Sequence, residues 1–163
     1  PKGLAGDTSS ACEVVEHFID WTHSNTLSLD AIVYLQPTSP LRSAASISSS
    51  CKLFDQSKAD SLVSVVPVPH QYTPSSLMLA EGQWLKPVES FASAPLRRQE
   101  KPAFFARNGP TIVITKPETI SKHGNLYGEK ILKFEMNQEE SVDIDSIEDL
   151  DYAAWMIERR AES

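Results

Sequence analysis

Apolar positions along this chain follow two different periods. Val14, Val15, Phe18 and Ile19 recur at helical spacing behind a start signal, Asp7-Thr8-Ser9-Ser10, with Ser10 and Glu13 at capping-box distance. That helix is expected to end near Ser24-Asn25. Residues 31–35 form a continuous apolar run, the pattern of a strand buried on both faces. Ser43 can cap a second helix whose core face is Ile47, Cys51 and Phe54, and Ser61–Pro67 reads as a second buried strand. Segments 77–79 and 83–85 flank Glu81-Gly82 as a hairpin. Further strands are expected over 111–115 and 131–136, with a short helix opened by Pro117 and stopped before Gly124. An amphipathic helix closes the chain over 147–160, with Ile147, Leu150, Ala154 and Ile157 expected on its buried side.

Strand, loop, helix and strand in alternation predict an α/β domain with right-handed βαβ units and a parallel sheet. No internal repeat or interdomain linker interrupts residues 1–163, which are expected to form a single domain. The length is enough for one real core. A net charge of −7 argues against non-specific nucleic-acid binding, which needs a basic footprint. No apolar run reaches the length of a membrane span. Cys12 and Cys51 lack metal-type spacing and fit a reduced, cytoplasmic compartment. His17, His23, His70 and His123 are scattered and suggest no zinc site.

An acidic protein can still bind an anionic nucleotide through local cations or a bridging metal, which directs attention to Val142-Asp143-Ile144-Asp145-Ser146. At the end of an extended segment, side chains two apart share a face, so Asp143 and Asp145 can hold one hard cation between them. Mg²⁺ takes oxygen ligands and often arrives with substrate phosphates. The competing reading is that Asp145 or Ser146 caps the last helix, with Asp149 completing a capping box.

Three segments are expected at the carboxyl ends of strands, where open α/β sheets collect ligands. They are Leu35-Gln36-Pro37-Thr38-Ser39-Pro40-Leu41-Arg42, then Arg97-Arg98-Gln99-Glu100 through Arg107-Asn108-Gly109, and Val142-Asp143-Ile144-Asp145-Ser146. In order and spacing they resemble the CMP-N-acetylneuraminic acid synthetases, or acylneuraminate cytidylyltransferases, from about residue 1 to residue 160. The opening Leu4-Ala5-Gly6-Asp7-Thr8-Ser9-Ser10 is also similar to the family's segment before its second helix.

The resemblance implies a three-layer, mostly parallel sheet of the nucleotide-diphospho-sugar transferase (Rossmann-like) type, with an arm over 77–110 used for homodimerisation. It implies a Mg-dependent nucleotidyltransferase that joins CTP to a nine-carbon 2-keto sugar acid and releases pyrophosphate. Such chemistry asks the protein mainly for positioning and electrostatic stabilisation. Asp143 and Asp145 would hold Mg²⁺, and Gln36 would hydrogen-bond the sugar, or else bridge its own loop. Arg98 would face the sugar carboxylate or the phosphates, with Arg97 at the surface or dimer interface. Lys86 would be a second catalytic cation, or a solvated residue beside a hairpin. Asn108 and Gly109 match the family's Asn-Gly turn. Tyr127 would line the acyl-group pocket or belong to the core, and Ser9 and Ser10 would lie near cytidine or cap a helix.

Two departures stand out. The family's Asn-Gly-Ala-Ile-Tyr-Ile is Asn108-Gly109-Pro110-Thr111-Ile112-Val113 here, so Ile112 replaces a substrate-facing tyrosine. Legionaminic acid or another bacterial nonulosonate is therefore as fitting a sugar as N-acetylneuraminic acid. The family's Gly/Arg/Ser/Lys-rich triphosphate loop after the first strand has no counterpart in these residues, so the isolated chain is expected to be incomplete for turnover. A truncated homologue that folds and dimerises without chemistry is the alternative. A 3-deoxy-manno-octulosonate or pseudaminate-specific cytidylyltransferase is a third reading.

Overall fold

The computed structural model describes residues 1–6, 9–89, 102–109 and 111–161. Arg97, Arg98 and Lys101, and the Asp7-Thr8 part of the first helix start, lie outside the described residues. By its internal contacts the chain divides into two compact units, residues 1–65 with 107–163, and residues 66–106.

The larger unit is built on a mixed sheet. Strand β1 (Ile32–Tyr34) pairs antiparallel with β6 (Val113–Thr115), and β6 pairs antiparallel with β2 (Ser61–Pro67). On the other side β2 pairs in parallel with β7 (Ile131–Glu135), from Ser61 opposite Ile131 to Val65 opposite Glu135. Strands β1, β2 and β7 therefore share one direction and β6 runs against them. Among the described residues, the mostly parallel, Rossmann-like three-layer sheet expected from the sequence is not formed. The reason lies in the connection into β6. A parallel neighbour needs a long crossover, usually a helix, to carry the chain back to the starting end. Here the chain enters β6 through the Asn108-Gly109 turn, at the end where β2 leaves, as Val113 opposite Val63 requires.

The core lies between this sheet and helix α2 (Ala44–Asp55). Phe54, Ala59, Leu62, Ile112, Ile114 and Met136 form a buried cluster, with Ile47, Cys51, Leu132 and Phe134 packed against it. The expected face of α2 is therefore the observed one, and Ser43 caps it by accepting the Ser46 N–H. Ile112 is completely buried in that cluster, so the residue expected opposite the sugar is a core residue.

Helix α1 (Ala11–Ser24) starts with the expected capping box between Ser10 and Glu13. Its buried face is Val15, Ile19 and Thr22, while Val14 and Phe18 of the expected set face outward, with Phe18 stacked on Trp21. Helix α3 (Pro117–His123) opens at Pro117 and stops at Gly124, whose φ of +59° is the left-handed cap that glycine adopts without cost. Helix α4 (Ile147–Ala161) buries Ala153 and Met156. The expected Ile147, Leu150, Ala154 and Ile157 are exposed instead. Arg160 lies on the same side as Ala153 and Met156, and its guanidinium donates to the Leu41 carbonyl at 3.0 Å.

The smaller unit contains the expected hairpin, β3 (Met78–Glu81) with β4 (Trp84–Pro87), turned by Gly82 at φ +63°. Strand β5 (Phe105–Arg107) begins beside the end of β2, where the Val68 N–H donates to the Phe104 carbonyl. No helix among the described residues is long and apolar enough to cross a membrane.

Candidate functional site

Two prolines keep the segment after β1 out of the sheet, so its backbone needs other partners. Arg42 supplies them, donating to the Gln36 carbonyl at 2.6 Å and the Thr111 carbonyl at 3.2 Å. Desolvation pulls the Arg42 guanidinium below its usual pKa, and two carbonyl acceptors compensate in part for that burial. The Gln36 side chain stays within its own loop, where its Oε1 accepts from the Thr38 hydroxyl at 3.4 Å. Ser39, fully buried, points the other way and donates to Asp143 Oδ1 at 3.3 Å, while Thr111 Oγ1 lies 3.2 Å from Ser39 Oγ.

The Asn108-Gly109 turn is anchored from below. Asn108 is buried, its Oδ1 accepting from Ser64 Oγ at 2.7 Å and its Nδ2 donating to Ser141 Oγ at 2.7 Å. Ser64 Oγ also accepts the Ile112 N–H at 2.9 Å. The side-chain amide of Asn108 is thus engaged by the fold, and the turn it holds presents Gly109 at φ +64°. A Cβ on Gly109 would stand 2.9 Å from Asp143 Cγ.

Asp143 and Asp145 do not lie on a strand. Strand β7 ends at Glu135, and a 3-10 turn (Glu139–Ser141) closed by Asn137 follows, with Asn137 Oδ1 accepting the Glu140 N–H at 2.8 Å. The acidic segment then runs as irregular chain, tied to the 36–42 loop by the Ile144 N–H donating to the Thr38 carbonyl at 2.9 Å. Asp143 is half-buried against Ser39 and Gly109, and Asp145 is exposed. The cap of α4 belongs to Ser146 and Asp149. Ser146 Oγ accepts the Asp149 N–H, and Asp149 Oδ2 accepts the Ser146 N–H at 2.9 Å. These hydrogen bonds, the Ser146 hydroxyl foremost, hold the Asp149 carboxyl below its usual range. Asp145 contributes its N–H to Asp149 at 3.2 Å, and its own carboxylate is not part of the cap.

A cavity of about 700 Å³ opens beside the Gly109 turn, lined by Ser10, Cys12, Arg107, Gly109, Asn125 and Tyr127 among others. It gathers three of the residues singled out in the sequence, Ser10, Gly109 and Tyr127. Tyr127 is placed by its loop. Its N–H donates to Asn125 Oδ1, Gly128 N–H donates to Ser61 Oγ at 3.2 Å, and Lys130 N–H donates to Asp60 Oδ2 at 2.9 Å. The Lys130 amide is the main reason the Asp60 carboxyl titrates below its usual range. The Arg107 guanidinium lies over the Tyr127 ring, 5.2 Å from its centroid. Ser9 donates to the Gly3 carbonyl at 3.4 Å and does not line the cavity. Burial raises the pKa of the Cys12 thiol, with the Glu16 and Glu13 carboxylates adding to the effect.

Lys86 sits on the hairpin of the smaller unit and pairs with Glu81 at 3.4 Å, both largely exposed. Arg98 lies outside the described residues. Sequence reasoning gave Ser39, Ser64 and Arg107 no role of their own, although Ser39 and Arg107 stand in two of the quoted segments. Ser64 was visible as the polar break in an otherwise apolar strand, and Ser39 only as part of its loop. Among the described residues, no three His, Cys, Asp or Glu side chains gather to enclose a metal ion. No known family model matches the chain.

Proposed function

We propose that this chain supplies the sugar-acid and Mg²⁺ side of a cytidylyltransferase site, which activates a nonulosonic acid such as N-acetylneuraminic or legionaminic acid with CTP. The anomeric hydroxyl would bond to the α-phosphorus as the bond to pyrophosphate breaks, giving the CMP-sugar. The observation that carries this reading is the meeting of Asp143 with Gly109 and Ser39. Residues far apart in sequence converge on one carboxylate, beside a cavity large enough for a sugar acid. The donor set suits the ion, since Mg²⁺ keeps several waters and commonly takes one or two carboxylates with the rest from phosphate. Asp143 and Asp145 would fill the protein's share, and Gln36 would meet sugar hydroxyls from its loop.

Homodimerisation through the hairpin belongs to the same proposal. Leu79, Trp84 and Leu85 are 58, 70 and 66% exposed on β3 and β4, more apolar surface than a hairpin normally leaves to water. A cytoplasmic setting fits Cys12 and Cys51, which are both free thiols.

Calorimetric titration with CTP, with and without Mg²⁺, tests the proposal. Saturable binding that requires Mg²⁺ and disappears in Asp143→Ala is expected. Binding that ignores the metal, or no binding by a folded sample, overturns it.

A further inference from the structure

The geometry points to Arg107 as the residue that binds the anionic group of the ligand in the cavity beside Gly109, with Tyr127 as its positioning residue. This assignment rests on the function proposed above. Arg107 is the one cationic side chain among the described residues lining that cavity. Among those residues its guanidinium has no ion pair or hydrogen bond, and its recorded partner is the Tyr127 ring at 5.2 Å. A cation–π contact at that distance uses none of the guanidinium's N–H donors, which stay available to grip two oxygens of a carboxylate or phosphate.

The rest of the cavity wall sharpens the assignment. The α1 N-terminus reaches the cavity at Ser10, but Glu13 already caps it, with Oε2 accepting the Ser10 N–H at 2.7 Å. That end of the helix therefore carries its own carboxylate and offers an incoming anion little. The Asn108 side chain is held by Ser64 and Ser141. Among the described residues, Arg107 is left as the cavity's source of positive charge. Tyr127 lies beneath it on a loop that is itself pinned to Asp60 and Ser61, which reduces the freedom the fork loses when the ligand arrives.

Two anions could meet this fork, the carboxylate of the sugar acid or a phosphate of CTP. The test is calorimetric titration of wild type, Arg107→Leu, Arg107→Lys and Tyr127→Leu with two probe pairs in Mg²⁺ buffer. The pairs are N-acetylneuraminate against its methyl ester, and CTP against cytidine. Wild type is expected to prefer the charged member of one pair by on the order of tenfold or more, the scale of a charge-assisted hydrogen bond. Arg107→Leu should erase that preference, and the pair affected identifies the anion. Arg107→Lys should keep part of it, and Tyr127→Leu should weaken the charged probe by a larger factor than the uncharged one. Survival in Arg107→Leu of every preference that wild type shows would overturn the assignment and leave the cytidylyltransferase reading standing. Absence of binding of all four probes by folded wild type would overturn both. Circular dichroism and thermal melting check that the variants are folded, as expected for an exposed arginine.

Discussion

The carboxylate of Asp143 lies against the α-carbon of Gly109, at a distance where a methyl group would collide with it. Gly109 also has φ +64°, a conformation that side-chain-bearing residues rarely adopt. Both facts favour glycine here, one through backbone strain and one through the space it leaves for an acid.

Gly109→Ala is therefore expected to cost about 1–3 kcal/mol from the backbone alone. It should also displace Asp143, so loss of Mg²⁺-dependent CTP binding should exceed what the stability change accounts for. Urea denaturation and calorimetry on the same sample separate the two effects.

The acidic segment divides by function. Ser146→Ala removes the α4 cap and should destabilise the protein by about 1 kcal/mol. Asp145→Ala, at an exposed carboxylate outside the cap, should stay within about 0.5 kcal/mol of wild type while weakening Mg²⁺-dependent binding. Denaturation midpoints for the two variants check this. A large stability loss in Asp145→Ala would return that residue to a capping role.

Ser64 bridges the core and the turn. Ser64→Ala leaves Asn108 Oδ1 and the Ile112 N–H without their partner in a buried place, a loss of about 1–3 kcal/mol. Ser64→Ala combined with Asn108→Ala should cost less than the sum of the two single changes, because the lost contact is shared.

Stability should fall in acid. Asp60 and Asp149 are held below the usual carboxylate range by amide and hydroxyl donors, so the unfolded state binds protons more readily than the folded one. Their contribution is fully present above the ordinary carboxylate pKa and is lost as pH falls through the depressed folded values. Urea titrations between neutral pH and pH 3 should show this decline, and Asp60→Asn with Asp149→Asn should flatten it.

Element positions were largely legible in the sequence. Caps at Ser10 and Ser43, the Pro117 start, the Gly124 stop and the hairpin at Gly82 each depend on a local signal carried by one or two residues. Strand direction was not legible, because β6 has the same buried apolar pattern whichever way it runs. Only the path into it, through Asn108-Gly109, decides. The buried face of α4 was misread for a similar reason. Its apolar residues form two stripes, and only tertiary packing shows that Ala153 and Met156 lie on the buried one. At the site, the two acids were visible as a motif, but the irregular chain that carries them was not. Arg107 had no signal beyond its charge and its place before Asn108-Gly109 until the fold placed Tyr127 beneath it.

The most direct test of the central claim is where a divalent ion sits. Mn²⁺ substituted for Mg²⁺ in the presence of CTP broadens the amide resonances nearest to it. Broadening should begin at Gly109, Ser39 and residues 143–145, and vanish in Asp143→Ala. Broadening centred elsewhere, or unchanged by that substitution, would contradict the account.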